Sequence, residues 1–107
     1  MMTSVLEVVR FKLKPHVSED AILAASEAME HSFARQQPGF IRRTLGQGDS
    51  GEWVDVVQWE SLEAASEAAV RELESPACAP FFAMIDEASI ELSRFAVLQE
   101  TEIPATS

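Results

Sequence analysis

The sequence is poor in several residue types that would otherwise decide its class. It has one cysteine, four glycines, no tyrosine and no asparagine, and its 8 Lys+Arg face 18 Asp+Glu. A lone Cys78 excludes an internal disulfide framework and a thiolate zinc cluster. The formal net charge of -10 argues against nucleic acid, whose phosphates need basic side chains to displace counterions, and against anionic lipid. The longest nearly apolar run, Ala77 to Ile85, contains Pro80 and is far too short to span a bilayer. Met1-Met2-Thr3-Ser4 has no basic stretch of the kind that opens a signal peptide, so a cytoplasmic location is expected. No glycine-rich phosphate loop and no serine nucleophile elbow are present.

What remains is an ordinary globular composition, 47% hydrophobic over 107 residues, which fits one domain. Its core is expected over about residues 5–98, with a polar tail at 99–107 that either frays or docks outside that core.

Val5 to Lys14 alternates with period two and reads as a strand. Val5, Glu7, Val9, Phe11 and Leu13 share one face, and Leu6, Val8, Arg10 and Lys12 share the other. Ser18 caps a helix over about Glu19 to Gln36, whose stripe is Ile22, Ala25, Met29 and Phe33. Pro38-Gly39 ends it. Phe40 to Gly46 forms a second strand, with Ile41, Arg43 and Leu45 opposing Phe40, Arg42 and Thr44. The turn formers from Gln47 to Gly51 close a hairpin into Glu52 to Glu60, where Trp53, Asp55, Val57 and Trp59 share a face. Ser61 caps a second helix with a stripe of Leu62, Ala65, Ala69 and Leu73, and Ser75-Pro76 starts a short apolar third. Ser89 to Leu98 alternates again.

The resulting order, β-α-β-β-α-(α)-β, predicts an α+β, ferredoxin-like fold: a four-stranded antiparallel sheet with helices on one face. The other face keeps apolar positions, Leu6 and Val8 or alternatively Phe11 and Leu13, and is expected to be covered by a second copy, sheet to sheet.

Several segments now carry a likeness. Phe11-Lys12-Leu13-Lys14-Pro15 ends the first strand, and Gln37-Pro38-Gly39-Phe40 opens the second. Trp53-Val54-Asp55-Val56-Val57-Gln58-Trp59-Glu60-Ser61 leads into Leu62-Glu63-Ala64-Ala65, and a Pro/Phe-rich helix precedes the last strand. Over about Val5 to Leu98 the chain resembles the dimeric α/β-barrel superfamily, close to antibiotic-biosynthesis-monooxygenase-like proteins. The resemblance implies a homodimer closing into an α/β barrel. The superfamily that the chain resembles includes cofactor-free quinol and anthrone oxygenases, haem-degrading enzymes, polyketide cyclases, dehydratases and stress proteins of unknown role, and fold does not decide among them. The haem-degrading branch uses Asn, Trp and a His ligand, and the anthrone oxygenases lean on Asn, Trp and Tyr. This chain offers Trp53 and Trp59 but no Asn or Tyr.

The candidate site residues follow from these placements. Trp53 and Trp59, with Phe33, Phe81, Phe82 and Met84, would line a flat apolar cavity for an aromatic ligand; the alternative is ordinary core packing. Asp55, between the two indoles, would be a buried general base, the partner of Arg42, Arg43 or Arg94, or part of the dimer interface. His16, in the loop after the first strand, is the second candidate for moving a proton, or a solvated loop residue. No metal or cofactor is expected. Cys78 reads as inert packing. The leading expectation is a cofactor-independent monooxygenase acting on an aromatic or polyketide-like molecule. A non-catalytic dimeric module binding an apolar metabolite or a partner protein is the second reading, and haem binding through His16 the third.

Overall fold

Alternation along four segments builds one sheet, and helical stripes cover one of its faces. In the computed structural model, which describes residues 3–102, the elements run β1 (Val5–Leu13), α1 (Glu19–Ser32), a 3-10 turn (Ala34–Gln36), β2 (Phe40–Gln47), β3 (Trp53–Trp59), α2 (Leu62–Glu72), α3 (Ala79–Ala83) and β4 (Ile85–Ala96). The four strands are antiparallel in the order β2-β3-β1-β4. This is a ferredoxin-like α+β fold whose sheet stays open.

The register decides which side chains meet. Val5, Glu7, Val9 and Phe11 of β1 lie opposite Trp59, Val57, Asp55 and Trp53 of β3, so the Trp53/Asp55/Trp59 face is the helix-covered one. Leu6 and Val8, opposite Gln58 and Val56, therefore belong to the open face. In β2 the strict alternation expected from sequence fails. The register shifts between Phe40 and Arg42, because Ile41 is bulged. Phe40 consequently packs edge-to-face on Trp59, at 5.8 Å between ring centroids, while Arg43 and Leu45 still turn inward. A second irregularity in β4 lets that strand begin at Ile85, earlier than the expected Ser89.

Both principal caps lie where the sequence predicts them. Ser18 Oγ accepts from the Ala21 N–H at 3.1 Å, and Ser61 Oγ accepts from the Ala64 N–H at 3.1 Å. The first helix stops at Ser32, and the expected last turn tightens into the 3-10 segment. Ser75 caps no helix: it accepts the Cys78 N–H in a turn, and α3 begins later, with Pro80 in its first turn, where a missing N–H costs little. Gly39, at φ +85°, brings the chain against α2. A methyl group there would sit 2.6 Å from the Ala64 Cβ, and the Gly39 carbonyl accepts the Glu60 N–H at 2.8 Å.

The core has two centres, one at each end of β3. Trp53 joins Phe11, Ile22, Met29, Cys78, Phe81 and Ile85, and Trp59 joins Ala65 and Ala68. Val97 donates its N–H to the Ser4 carbonyl at 2.9 Å, and the Glu102 carboxylate lies 3.6 Å from Arg42. Since Ala96 leaves one edge strand and Arg42 sits on the other, the segment between crosses the end of the sheet. Ile103 and Pro104 lie outside the described residues.

Candidate functional site

The second helix is the reason a cavity exists. Its inward face keeps Ala65 and Ala69 of the expected Leu62/Ala65/Ala69/Leu73 stripe, while Leu62 is 55% exposed and Leu73, which touches the cavity, is 85% exposed. The inward positions are Ala65, Ala68, Ala69 and Glu72, at the spacing i, i+3, i+4, i+7. Three alanines leave the space above β1 and β3 unfilled, and the fourth inward residue is a carboxylic acid. The result is a cavity of about 300 Å³ between sheet and helices, the lower end of the range for small-molecule sites.

Its walls are mostly apolar. Of the aromatic candidates, Trp59, Phe33, Phe81 and Phe82 line it. Trp53 does not: it is stacked on Phe11, with centroids 6.5 Å apart and planes 18° apart, inside the other core centre. Met84 packs behind that same centre and closes α3. Trp59 is 4% exposed, and its indole Nε1–H has no hydrogen-bond partner. A buried donor left unpaired is costly.

The polar groups form one cluster. Asp55 is held by Arg43: Nε lies 2.9 Å and 3.2 Å from the two carboxylate oxygens, and Nη2 donates at 2.9 Å. The remaining Arg43 nitrogen, Nη1, donates to Ser26 Oγ at 2.8 Å, and the guanidinium lies 5.5 Å from the Phe81 ring centroid. Glu7 accepts from Arg94 Nε at 2.9 Å across the β1–β4 register, and Arg94 Nη1 reaches Ser66 Oγ at 3.4 Å. The strand arginines thus neutralise buried acids, the role that sequence reasoning set beside a catalytic Asp55. Burial pushes the Asp55 carboxyl up and the Arg43 fork opposes it. Both its oxygens are engaged by Arg43.

Glu72 is the group the sequence reading missed. It lines the cavity without an ion-pair or hydrogen-bond partner among the described residues. Burial, reinforced by the neighbouring Glu7 and Asp55 charges, pushes its carboxyl up to about 7; Arg43 opposes the shift. The alanine run was the available signal, since one helical step of four residues from Ala68 lands on Glu72, just as the same step from Ala69 lands on Leu73.

His16 stands elsewhere, exposed in the turn after β1 at φ 71°, and lines no part of the cavity. Cys78 is fully buried, and burial pushes its thiol up, as packing without reactivity requires. Among the described residues no group of three or more His, Cys, Asp or Glu has the geometry to hold a metal ion, and no helix is long and apolar enough to cross a membrane.

No protein-family model matches the sequence, and no curated protein sequence is similar to it. Solved structures do match over nearly the whole chain. SnoaB from Streptomyces nogalater, described as a cofactor-independent oxygenase, superposes with a TM-score of 0.68 at 23% identity, over 92% of this chain and 96% of SnoaB. A candidate antibiotic biosynthesis monooxygenase from Chloroflexus aurantiacus gives 0.68 at 16% identity, over 95% of this chain and all of the other. Protein Rv0793 from Mycobacterium tuberculosis gives 0.68 at 23% identity, over 94% and 100%. The chain therefore has the ferredoxin-like fold of antibiotic-biosynthesis-monooxygenase-like proteins. At these identities the likeness establishes the fold.

Proposed function

We propose that the protein is a cofactor-independent oxygenase of small hydroxylated aromatic molecules, with Glu72 as its base. The observation that carries this reading is the unpaired Glu72 carboxyl in an apolar cavity, its pKa raised to about 7, where a base works best near neutral pH. The fold shared with SnoaB supports it.

A doubly activated ring methylene fits such a base. Glu72 takes one proton, and the electron pair left behind spreads into the ring and its oxygen. That anion passes one electron to O₂, the two radicals join through a new C–O bond, and the resulting peroxide takes the proton back from Glu72. Loss of water breaks the O–O bond and removes the second methylene hydrogen. A CH₂ group and O₂ thus become C=O and H₂O, with no external reductant.

We also propose that the working form is a homodimer in which a second copy covers the open sheet face. The half-buried Leu6, Val8, Val54 and Val56 there, with Phe95 54% exposed, support it.

Oxygen uptake with a tricyclic hydroxylated substrate of anthrone type, in the presence of a chelator, tests the enzymatic reading. The rate is expected to rise with pH through about 7 as Glu72 loses its proton. Glu72→Gln is expected to cut kcat by roughly 10²–10⁴. A variant that keeps the full rate removes Glu72 from the mechanism, and ligand-induced melting shifts without oxygen uptake favour the binding-module reading.

A further inference from the structure

The helices do not roof the whole inner face of the sheet. Leu92 and Arg94 of β4 turn to the helix side, in register with Val9 and Glu7 of β1, yet Leu92 is 52% exposed. Facing this edge strand is a row of α2 beside its alanines: Ser66, Val70 and, at the helix cap, Leu73, spaced i, i+4, i+7. Arg94 Nη1 lies 3.4 Å from Ser66 Oγ and joins the two rows at one end. At the other end Leu73 stands with Ile90 and Leu92 in the wall of the cavity, so the space between the rows is continuous with it. The result is a surface groove carrying four exposed aliphatic side chains, Val70, Leu73, Ile90 and Leu92. Single exposed aliphatics are ordinary, but a contiguous set that opens out of a cavity suits apolar ligand atoms. The far end of the groove is polar. Arg94 gives Nε to Glu7 at 2.9 Å and Nη1 to Ser66, while Nη2 has no partner among the described residues.

We propose that this groove is a subsite for a ligand's side chain: the aromatic ring lies in the cavity, an apolar chain runs out between Leu73 and Leu92, and a carboxylate at the chain's end takes the open Nη2 of Arg94. The subsite rests on the cavity being the ligand site proposed above, and it deepens that proposal by naming the substrate class. Glu72 stays free to act as the base, because the anion is held at the far end of the groove and not in the cavity. The two inner-face arginines divide the work. Arg43, its side chain 5% exposed, spends Nε and Nη2 on Asp55 and Nη1 on Ser26. Arg94, its side chain 27% exposed, is fixed in place by Glu7 and Ser66 and still presents one N–H edge to an incoming group. A guanidinium held in this way suits a carboxylate, whose hydrogen bonds to it are charge-assisted.

The test is calorimetric titration of the full chain with three hydroxynaphthalenes: one without a side chain, one with a pentyl chain, and one whose chain of the same length ends in a carboxylate. The pentyl compound is expected to bind about tenfold more tightly than the bare ring. The carboxylate-ended compound is expected to gain roughly a further fivefold. Val70→Gln puts a polar side chain into the groove outside the cavity, and should bring the pentyl compound and the bare ring to within about twofold of each other. Arg94→Lys keeps a cation for Glu7 but offers a single nitrogen. It should erase the advantage of the carboxylate over the pentyl compound and keep that of the pentyl compound over the bare ring. The order of the three ligands on the wild type stands without any variant, so a poorly folding variant leaves the test intact. The subsite is overturned if the chain adds nothing, as a second copy seated in the groove would bring about. It is equally overturned if the chain's gain survives Val70→Gln, if the carboxylate binds no more tightly than the pentyl compound, or if none of the three binds. Oxygen uptake reads the enzymatic proposal separately. The expected affinity order without uptake sinks that proposal and leaves the subsite standing; uptake with no effect of the chain does the reverse.

Discussion

Each face of the sheet carries some side chains that the other would suit better. The face covered by helices carries Glu7, Asp55, Arg43 and Arg94, while much of the open face carries plain aliphatics, Leu6, Val8, Val54 and Val56. Burying ions is costly, and leaving valines in water wastes their burial. The placement is intelligible if each face is specified by something beyond the monomer's own stability. On the proposals above, that is a ligand inside and a second copy outside.

The most severe way to break the covered face is to remove one member of its tightest ion pair. Arg43→Ala would strand a buried Asp55, at a cost of about 3–5 kcal/mol. Urea denaturation should show the loss, and Arg43→Met combined with Asp55→Leu should recover most of it, because two apolar residues of similar size leave no charge unmatched. If Arg43→Ala is neutral, water reaches Asp55 and the covered face is wetter than its geometry indicates.

The open face breaks differently. Val8→Glu and Val56→Glu together would place charge in the middle of the proposed dimer seam. Sedimentation equilibrium should show dissociation by at least about 100-fold, or about 3 kcal/mol of association energy. Helical content by circular dichroism should stay intact, because neither residue touches the helix-side core. A chain already monomeric before substitution ends the comparison at its outer half.

These two faces were not equally legible in the sequence. Period two along β1 and β3 separates the sets, and the caps at Ser18 and Ser61 locate two helix starts. Alternation alone is symmetric, however: it sorts residues into two faces and says nothing about which face the helices cover. Register settles that, by pairing Phe11 with Trp53 and Val5 with Trp59. The bulge at Ile41 escaped because a two-residue period has no term for an inserted residue. The cavity escaped in part for a related reason. A search for apolar stripes chose Leu73, which is mostly exposed at the cavity, and passed over Glu72 beside it, because hydrophobicity treats every inward acid as an error. The aromatic walls at Phe33, Phe81 and Phe82 were readable, since large rings on inward stripes have few other places to go.

The gentlest test sharpens the inner half through pH. Glu72 is raised from 4.5 to about 7 by burial, with Glu7 and Asp55 adding to the push. Between those two values the folded chain binds a proton at Glu72 that the unfolded chain has released. The slope of unfolding free energy with pH follows protons bound unfolded minus folded, so this group makes stability fall as pH rises through that window. The contribution is present in full below about 4.5 and gone above about 7. Its size is on the order of 2–3 kcal/mol, after allowing for partial contact with solvent. Chemical denaturation at stepped pH should show that decline in the wild type, set against the opposite trend that exposed, ion-paired carboxylates impose. Glu72→Gln cannot release the proton and should lack the decline, so the difference between the two curves isolates Glu72 from every other titrating group. Superimposable curves would mean that the carboxyl finds solvent or a partner after all, and the unmatched charge on which the contrast between the faces depends would be gone.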